Sequence, residues 1–571
     1  MLARLGALAL AVLVLPGALR AEEKRKLNVL FIVVDDLNDR LACYGHTQVK
    51  TPNIDRLAAK GVRFERTYCQ YPLCNPSRTS FLSGRLPDVT KIIDNNTPPR
   101  DTLGKDAVFL PEYFAKHGYF TARVGKVAHG AYESAVKWDV SENSKASLKE
   151  KKQEQALEIA LQEGGGVKLS WKMTNHKDEE EPDGNTARRI SELIEKNKDK
   201  PFFIASGFHK PHLPWIAPKK YFDLYPPAKI ELPKEPADVR KNVPPLAFTK
   251  TAGDEKMTDD EKKQAIAAYY ACVSFTDANV GVLMDTMDRL KLWDTTVVVF
   301  FSDHGWHLAD HGGLWRKMTL FEQATRVPMI VVAPGVKPGV SPRLTELLDL
   351  YPTLTDLAGL PAPEGVQGTS FKPLLEQPNR EWSKVVAYTV VGRNKKGDPV
   401  LGRSVRNERW RYTQWHNENE CELYDHAADP SEYVNLATEP KHAETLATMR
   451  KLLKTRWVGT EAEAPEKEAA SAKLEGVVTI DGKPLVGAKV SFHPSDEKGK
   501  VLTALTDDNG KYRLSVGKKD NAVPGTFRVT IEKKIDGRET LPPGYSDKDK
   551  SALMTVIQKG GNVFDLVLSS R

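Results

Sequence analysis

The sequence predicts an α/β fold in which helices cover both faces of a mixed, mostly parallel β-sheet. Short runs rich in Val, Ile and Phe have the length of buried strands, and they lie at residues 29–34, 120–124, 202–205, 297–301 and 329–332. Amphipathic or capped helical stretches separate them, at residues 51–60, 110–117, 183–196, 258–291 and 349–358. Continuous apolar strands that alternate with helices are typical of a parallel sheet buried on both faces.

Polar residues directly follow four of these predicted strands. They stand at residues 35–36, 125–126, 209–212 and 303–304. In open α/β sheets, ligands bind outside the carboxyl ends of the strands. We therefore expect these four clusters, which are far apart in sequence, to meet at one edge of the sheet and to form the functional site.

Length and composition limit the classes that the chain can belong to. Its 571 residues, of which 40 % are hydrophobic and 28 % charged, suffice for several domains or for one large α/β domain with additions. The net charge of +7 is not concentrated in a Lys/Arg block, so it does not indicate nucleic-acid binding, although it would suit a polyanionic substrate. Five cysteines are too few for a disulfide scaffold, and no pairing is predicted.

The N-terminus has the pattern of an export signal, at residues 1–21. Arg4 supplies positive charge, residues 5–16 are almost wholly apolar, and the small residues before Glu22 would suit cleavage. An uncleaved anchor is the alternative, although the apolar stretch is short for a membrane span. No later segment approaches spanning length, and no cysteine stands at the cleavage site. We therefore expect a periplasmic or secreted protein without a membrane span after cleavage.

The remaining chain divides into four predicted parts. These are a catalytic domain at residues 22–380, a small α+β subdomain at 381–457, a Glu- and Ala-rich linker at 458–472 and a β-sandwich at 473–571. Inside the catalytic domain, the pattern of residues 130–182 predicts a surface insertion with a helix-prone stretch at 147–163. The proline-rich residues 214–257 are expected to form a loop that rims the site.

The last part has short alternating strands separated by turns at Asp481-Gly482 and Asn509-Gly510. It resembles the transthyretin-like, carboxypeptidase-regulatory-like β-sandwich that is fused to many exported proteins. It carries no catalytic pattern, so we expect a structural spacer. Attachment to carbohydrate or to a surface is the alternative.

Two strand ends carry the pattern of a metal site. Asp35 and Asp36 are adjacent carboxylates that repel each other unless a cation lies between them, and Asp303-His304 repeats the pattern after another strand. Hard oxygen ligands favour Ca²⁺ or Mg²⁺ over zinc. A solvated turn is the alternative for an isolated Asp-Asp pair.

A cysteine motif, Cys74-Asn75-Pro76-Ser77-Arg78, lies before a predicted helix. Arg78 follows Cys74 by one helical turn, so a helix that begins near Pro76 would present its free N–H groups and Arg78 on the same side. That arrangement would stabilise negative charge at residue 74. The alternatives are a buried or disulfide-bonded cysteine and a structural salt bridge of Arg78.

Basic residues complete the set of candidates. In Lys126-Val127-Ala128-His129, a lysine and a histidine three residues apart can converge on one anion. In His209-Lys210-Pro211-His212-Leu213-Pro214, two prolines fix the backbone between polar groups. Lys317 and Trp306 lie close to Asp303-His304 in the sequence.

These motifs together resemble those of type I sulfatases of the alkaline phosphatase superfamily, and the branch that contains the iduronate-2-sulfatases is the most similar. The resemblance covers roughly residues 27–440 and rests on five separated motifs in the expected order. It implies an alkaline-phosphatase-like fold and an enzyme that hydrolyses sulfate esters. It also implies that a maturation enzyme oxidises Cys74 to Cα-formylglycine.

The resemblance further implies a role for each candidate residue. One divalent cation, usually Ca²⁺ in this family, would bind Asp35, Asp36, Asp303, His304 and the modified Cys74. His304 stands where relatives often have Asn. Lys126 would contact the sulfate, His129 would take a proton from the nucleophile, and His212 and Lys317 would bind the sulfate and assist the departing oxygen. Lys210 or His209 would contact a neighbouring substrate group, and Trp306 would either stack on a sugar ring or pack in the core.

The expected function is therefore hydrolysis of a sulfate ester on a sulfated, uronic acid-containing saccharide. A phosphatase or phosphodiesterase of the same superfamily is the first alternative, but such enzymes generally place Ser or Thr at the nucleophile and often hold two zinc ions. A non-enzymatic surface protein that binds through its β-sandwich is the second alternative.

Overall fold

The structure is a computed structural model of the chain. It describes residues 26–143, 169–249, 257–395, 398–458, 472–494, 501–516, 525–535, 538–547, 550–551, 553–557 and 561–570. The predicted export signal, the helix-prone stretch at 147–163 and most of the predicted linker lie outside these residues. The chain divides into two compact units, Met1–Ala462 and Glu463–Arg571.

An eight-stranded sheet forms the centre of the first unit, in the order β12-β2-β11-β8-β1-β6-β3-β4. Two small sheets pair β5 with β7 and β9 with β10. The strands are β1 Asn28–Val34, β2 Val62–Tyr68, β3 Phe120–Gly125, β4 Val140–Glu142, β5 Trp171–Thr174, β6 Phe202–Phe208, β7 Trp215–Pro218, β8 Thr296–Ser302, β9 His307–Ala309, β10 Leu314–Arg316, β11 Arg326–Val332 and β12 Gly339–Glu346.

The main sheet is mostly parallel, as predicted. β1 pairs in parallel with β6 and β8, β6 pairs in parallel with β3, and only β11 runs antiparallel to its neighbours β2 and β8. All seven residues of β1 are buried. Leu30, Ile32 and Val34 belong to the apolar cluster on one face of the sheet, and the alternating residues Val29 and Phe31 belong to the cluster on the other. A strand buried on both faces explains the continuous apolar run in the sequence.

In the described part of this unit, α-helices alternate with the strands of the sheet. They are α1 Pro52–Ala58, α2 Cys74–Ser83, α3 Pro87–Thr90, α4 Pro99–Leu103, α5 Leu110–Lys116, α6 Pro182–Asn197, α7 Lys219–Phe222, α8 Asp259–Arg289, α9 Asp310–Gly313, α10 Glu322–Thr325, α11 Leu350–Leu357 and α12 Lys372–Glu376.

The longest helix, α8, begins with a capping box in which Thr258 accepts a hydrogen bond from the backbone N–H of Glu261. Within the described part of the chain, α8 alone has the length and composition of a candidate membrane span. However, 89 % of its apolar window is buried inside the fold, as in the core helix of a globular unit.

The predicted surface insertion is only partly an excursion. β4, at residues 140–142, pairs in parallel with β3 and forms one edge of the main sheet, and β5, at 171–174, pairs with β7. The sequence did not indicate these strands because both are short and neither is strongly apolar. Glu181, in the acidic run, is buried and accepts a hydrogen bond from Thr174 Oγ1.

A four-stranded antiparallel sheet and one helix complete the first unit. The strands are β13 Ala387–Lys395, β14 Asp398–Arg406, β15 Trp410–Gln414 and β16 Cys421–Asp425, and the helix is α13 Ala443–Val458. Arg411 of β15, which is 1 % exposed, forms ion pairs with Glu322 of α10 and with Glu432, which follows β16. The first pair connects the small sheet to the helices of the larger part.

The second unit consists of mostly antiparallel sheets around its own apolar cluster, which includes Val478, Phe492 and Val529, and β17 pairs in parallel with β26 and β27. Its elements are β17 Ala472–Ile480, β18 Lys483–Pro484, β19 Lys489–Pro494, β20 Leu502–Leu505, β21 Lys511–Val516, β22 Gly525–Glu532, β23 Lys534–Ile535, β24 Arg538–Glu539, α14 Pro543–Ser546, β25 Met554–Ile557, β26 Gly561–Val563 and β27 Leu566–Leu568. Its resemblance to transthyretin-like domains stays a prediction, as do the exact domain boundaries.

Candidate active site

The carboxyl ends of β1 and β8 place the two acidic motifs side by side. Val34 pairs with Ser302 in the parallel ladder, so Asp35 and Asp303 follow at the same level of the sheet. Asp303 Oδ1 accepts hydrogen bonds from the backbone N–H groups of Asp36, at 3.2 Å, and of His304, at 3.0 Å. The strand register therefore forms the acidic cluster that the sequence predicts.

Asp36 has a left-handed backbone, with φ of 61°. This conformation is uncommon for residues other than glycine, so neighbouring groups must stabilise it. The Tyr269 hydroxyl donates to Asp36 O at 2.8 Å and accepts from the N–H of Asn38 at 2.9 Å. Ser302 Oγ accepts from the N–H of Leu37 at 2.9 Å. Sequence analysis missed Tyr269, because a buried tyrosine on a helix 233 residues away gives no local signal.

Cys74 is the first residue of α2, and it is 1 % exposed. Its Sγ lies 3.5 Å from Asp35 Oδ1, 3.4 Å from His304 Nε2 and 3.5 Å from Lys317 Nζ. Burial and Asp35 would raise the pKa of the Cys74 thiol, but Lys126 and Lys317 outweigh them and hold it well below its ordinary value. The thiol is free rather than disulfide-bonded. Its neighbours are a carboxylate, an imidazole and an ammonium, so Cys74 occupies a polar site and not an apolar one.

Arg78 lies one turn further along α2 and is also 1 % exposed. Its Nε donates to Asp303 Oδ2 at 2.8 Å and its Nη2 to Asp35 Oδ1 at 3.1 Å. Its Nη1 donates to the carbonyl oxygens of Lys126, at 2.7 Å, and Val127, at 3.0 Å. Arg78 therefore joins the helix of Cys74 to both acidic strand ends and to the loop after β3.

That loop carries Lys126 and His129. Gly125 has φ of +83°, and a Cβ there would lie 2.1 Å from Gly207 O, so only glycine allows β3 and β6 to approach this closely. The Lys126 ammonium forms an ion pair with Asp35. His129 lies on the same loop, and its Nδ1 is buried without a hydrogen-bond partner among the described residues.

The loop after β6 carries His209 and His212. His209 Nδ1 lies 3.7 Å from Asp35 Oδ2, and His212 Nε2 lies 3.8 Å from Asp36 Oδ2. Burial lowers the pKa of His209 to about 3, whereas the attraction of Asp36 outweighs burial and raises the pKa of His212. The Lys210 ammonium donates to the carbonyl oxygen of Pro214 at 2.6 Å, so it is held against the backbone of its own loop.

Lys317 reaches the cluster from the loop after β10. Its Nζ lies 2.5 Å from Asp36 Oδ1 and 5.2 Å from the centre of the Trp306 ring. Trp306 is 2 % exposed and packs edge-on against Trp215. Stacking of Trp306 on a sugar ring, one of the two roles expected for it, does not fit this burial, and core packing under Lys317 is what the structure has.

The acidic cluster fits a hard divalent cation. Ligand atoms of Asp35, Asp36, Cys74 and His304 lie within 4.8 Å of one another. Asp36 Oδ2 is buried and has no hydrogen-bond partner among the described residues, which leaves a carboxylate oxygen ready for a cation. Asp303, predicted as a fifth ligand, does not belong to this group of four, and its oxygens accept from Arg78 and from two backbone N–H groups. Its role as a ligand stays a prediction.

Two buried carboxylates accept hydrogen bonds from the backbones of the loops that carry the site residues. The sequence analysis did not identify either of them. Glu133 accepts from the backbone N–H groups of Val127 and Ala128, and Asp183 from those of His209 and Lys210. Asp183 is the first residue of the predicted helix at 183–196, where a carboxylate is ordinarily explained by the helix N-terminus, so its sequence position gave no reason to connect it to the site.

Cationic side chains around a nucleophile, at the carboxyl ends of a parallel sheet, are what a hydrolase of anionic esters needs. Two family models narrow this class. The model described as Sulfatase matches residues 27–360, and the model described as N-sulphoglucosamine sulphohydrolase, C-terminal, matches residues 309–458. The chain belongs to the sulfatase family, whose members hydrolyse sulfate esters, and the predicted alkaline-phosphatase-like fold is confirmed.

Individual relatives agree with this assignment. A protein named sulfatase from Formosa agariphila is 32 % identical over 464 residues, which cover 76 % of this chain and 87 % of that protein. Human iduronate 2-sulfatase is 31 % identical over 483 residues, with 71 % of this chain and 87 % of that protein covered. The solved structure of a 2-O GAG sulfatase shares 26 % identity and a TM-score of 0.61, and covers 77 % of this chain and 93 % of its own.

Proposed function

We propose that the protein removes sulfate from a sulfated, uronic acid-containing saccharide, with an oxidised Cys74 as its nucleophile. The observation that carries the proposal is the environment of Cys74 Sγ, which has a carboxylate, an imidazole and an ammonium within 3.5 Å at the start of a buried helix. The names of two relatives, iduronate 2-sulfatase and 2-O GAG sulfatase, support the substrate class.

The proposed nucleophile is Cα-formylglycine, the aldehyde that a maturation enzyme makes from Cys74. Water adds to the aldehyde and gives a geminal diol, and the Sγ atom stands in for one oxygen of that diol. A thiol could attack sulfur, but it has no second hydroxyl with which to expel the trapped sulfate. The diol therefore explains why an oxidised residue is needed at this position.

In the first step, one hydroxyl of the diol loses its proton to His129 and attacks the sulfur. The bond between sulfur and the substrate's bridging oxygen breaks, and His212 or Lys317 supplies the proton that the departing alcohol needs. Lys126, Lys317 and His212 hold the sulfate oxygens, while Arg78 holds the carboxylates and the loop around them. Positioning and charge neutralisation account for most of the rate enhancement.

In the second step, the remaining hydroxyl loses its proton and the bond between carbon and the sulfate oxygen breaks. Inorganic sulfate leaves, and the aldehyde is restored for the next cycle. A displacement at sulfur and an elimination of sulfate thus replace one difficult hydrolysis.

We also propose one divalent cation, Ca²⁺ from the family resemblance, held by Asp35, Asp36, His304 and the oxygen of the modified residue 74, with Asp303 beside them. When bound, a cation at this position would offset negative charge on the diol and on the sulfate. Chelation should lower both sulfate release and the thermal unfolding midpoint, and added Ca²⁺ should restore both, because a ligand of the folded state stabilises it.

The modification and the reaction are tested together. Protein made in cells that contain the maturation enzyme should give a Cys74 peptide with the mass of the aldehyde, and should release sulfate from para-nitrophenyl sulfate and from sulfated uronic acid disaccharides. Cys74→Ser, made with a maturation enzyme that accepts only cysteine, should release none. Sulfate release by Cys74→Ser at the rate of the wild-type protein would refute the proposal.

Two further measurements address the alternatives and the compartment. Rates on matched aryl sulfate and aryl phosphate esters should favour the sulfate, and a preference for phosphate would support a phosphatase instead. We propose export with cleavage after Ala21, so the protein recovered from the periplasm or the medium should begin at Glu22.

A further inference from the structure

Two buried carboxylates, which we call the loop clamps, hold the backbones of the two loops that carry the basic residues of the site. Glu133 Oε1 accepts from the N–H of Val127 at 2.8 Å, and Oε2 accepts from the N–H of Ala128 at 3.0 Å. Asp183 makes the same pattern with the loop after β6: Oδ1 accepts from His209 at 3.0 Å and Oδ2 from Lys210 at 2.8 Å.

Each clamp accepts hydrogen bonds from backbone N–H groups of peptides whose carbonyl oxygens are also hydrogen-bonded. In the first loop, the carbonyl oxygens of Lys126 and Val127 accept from Arg78, while the N–H groups of Val127 and Ala128 donate to Glu133. The plane of each peptide is thereby held from both sides. The directions in which Lys126 and His129 leave the backbone depend on those planes.

The second loop is held in the same way. The two peptides whose N–H groups donate to Asp183 have the carbonyl oxygens of Phe208 and His209, which accept from the backbone N–H groups of Asp35 at 3.1 Å and His212 at 2.9 Å. Thr276 Oγ1 also donates to the next carbonyl oxygen, that of Lys210, at 3.0 Å. Asp183 supplies the acceptors on the N–H side of this loop. His209 and His212 project from it towards Asp35 and Asp36.

The chemistry of the clamps requires a carboxylate. Glu133 is 6 % exposed and Asp183 is 2 % exposed, and a buried charge is costly unless donors surround it. Only an ionised carboxyl accepts with both of its oxygens, whereas an amide would turn an N–H₂ group towards one of the two backbone donors. Glu133 Oε2 also lies 3.4 Å from Arg123 Nε, which compensates part of its charge.

Both clamps line one cavity of about 470 Å³, together with Lys126, His129 and His209. The carboxylates therefore lie on the side of each loop that faces this cavity. Neither carboxylate has Cys74 among its hydrogen-bond or ion-pair partners in the described residues, so each would act through the loop that it holds.

We propose that Glu133 and Asp183 are positioning residues for sulfate ester hydrolysis: Glu133 orients Lys126 and His129, and Asp183 orients His209 and His212. This inference rests on the proposed function, in which His212 assists the departing alcohol. There, Lys126 binds the sulfate and His129 takes a proton from the nucleophile. Misplacement of a catalytic group by about 1 Å can cost on the order of 10²-fold in rate.

Glu133→Gln and Asp183→Asn test the proposal, since each keeps the shape of the side chain and removes one acceptor. Both variants should lower kcat by about 10- to 10²-fold, with much smaller changes in KM. The two losses should differ between substrates. Glu133→Gln should slow para-nitrophenyl sulfate and a sulfated uronic acid disaccharide alike, because both need the nucleophile.

Asp183→Asn should slow the disaccharide more than the aryl sulfate. A sugar alcohol is a poor leaving group that needs a proton, whereas nitrophenolate departs with little help. Loss of stability alone would lower both activities in the same ratio, so for Asp183→Asn the comparison of substrates separates positioning from general destabilisation. For Glu133→Gln, the comparison with a destabilised control variant makes that separation.

Asp277→Ala is the matched control. The carboxylate of Asp277 also accepts from two consecutive backbone N–H groups, those of Asn53 at 2.9 Å and Ile54 at 2.7 Å, but these belong to α1, which carries none of the proposed site residues. This variant should lower the unfolding midpoint at least as much as the amide variants and should keep the wild-type kcat.

If an amide variant does not fold, Glu133→Asp or Asp183→Glu replaces it, with the same expected losses, because the charge stays while the oxygens move by one methylene. Wild-type kcat in the clamp variants would overturn the proposal, and so would kcat losses matched by Asp277→Ala. Equal losses on both substrates would overturn the assignment of Asp183. A wild-type protein that carries the aldehyde but releases no sulfate would instead refute the proposed function.

Discussion

Replacement of Arg78 by methionine should remove much of the stability of the catalytic unit, because four hydrogen bonds end on this one buried side chain. The guanidinium is 1 % exposed and donates to Asp35, to Asp303 and to two backbone carbonyl groups of the loop after β3. Methionine fills a similar length without charge. It leaves two buried carboxylates without this partner, and breaking a buried ion pair costs about 3–5 kcal/mol.

Tryptophan fluorescence during urea unfolding measures this loss in the full chain. All ten tryptophans lie between residues 138 and 457, so the signal reports on the first unit alone. Arg189→Met is the control, since Arg189 also pairs with two carboxylates, Glu142 and Glu192, but its side chain is 41 % exposed. An exposed pair contributes about 0–1 kcal/mol.

The free energy of unfolding should fall by about 3–5 kcal/mol in Arg78→Met and by at most about 1 kcal/mol in Arg189→Met. Sulfate release should also fall for the first variant, because the Lys126 loop loses its anchor. Equal shifts of the two unfolding midpoints would refute the view that Arg78 is the structural centre of the site.

Three further predictions concern single residues. Lys317→Met should lower kcat for para-nitrophenyl sulfate by on the order of 10²-fold, since its ammonium is 2.5 Å from Asp36 Oδ1 at the predicted sulfate site, and an unchanged kcat would contradict this role. Trp306→Ala should cost about 3–5 kcal/mol of stability as a core residue, whereas a higher KM for the disaccharide at unchanged stability would favour sugar stacking. Burial raises the pKa of Asp277 to about 7 from the ordinary value of 3.8, so the folded state retains a proton that the unfolded chain has released. The free energy of unfolding, measured by urea unfolding at each pH, should therefore fall as the pH rises from about 4 to about 7. Asp277→Asn should flatten that slope, and an unchanged slope would contradict the assignment to Asp277.

The strands at the centre of the sheet could be predicted because both of their faces are buried. β1 and β8 are unbroken apolar runs, and the polar residues at their ends, Asp35 and Asp303, meet as the rule for parallel sheets requires. β2 was missed because Arg63, Glu65 and Arg66 interrupt it. A strand with several charged residues gives no continuous apolar signal.

The residues that support the site could not be predicted from the sequence, because their partners are distant in the chain. Tyr269 stabilises the left-handed backbone of Asp36 from a helix whose sequence indicates only burial. The burial of Trp306 likewise depends on Trp215, the first residue of β7, which is 91 positions away in the sequence. Sequence motifs identify the residues that react. The residues that support them are set by tertiary contacts between elements far apart in the sequence.

Every residue of α2 is buried, and only 1 % of the surface of its first residue is accessible. The maturation enzyme could not bind this segment in its own active site after the sheet and the flanking loops have folded around it. On the proposed function, the thiol of Cys74 must therefore be oxidised before the chain folds around α2. The time for which the nascent chain stays unfolded would then limit the fraction of active enzyme. Chains that collapse too quickly would be permanently inert, however stable they are.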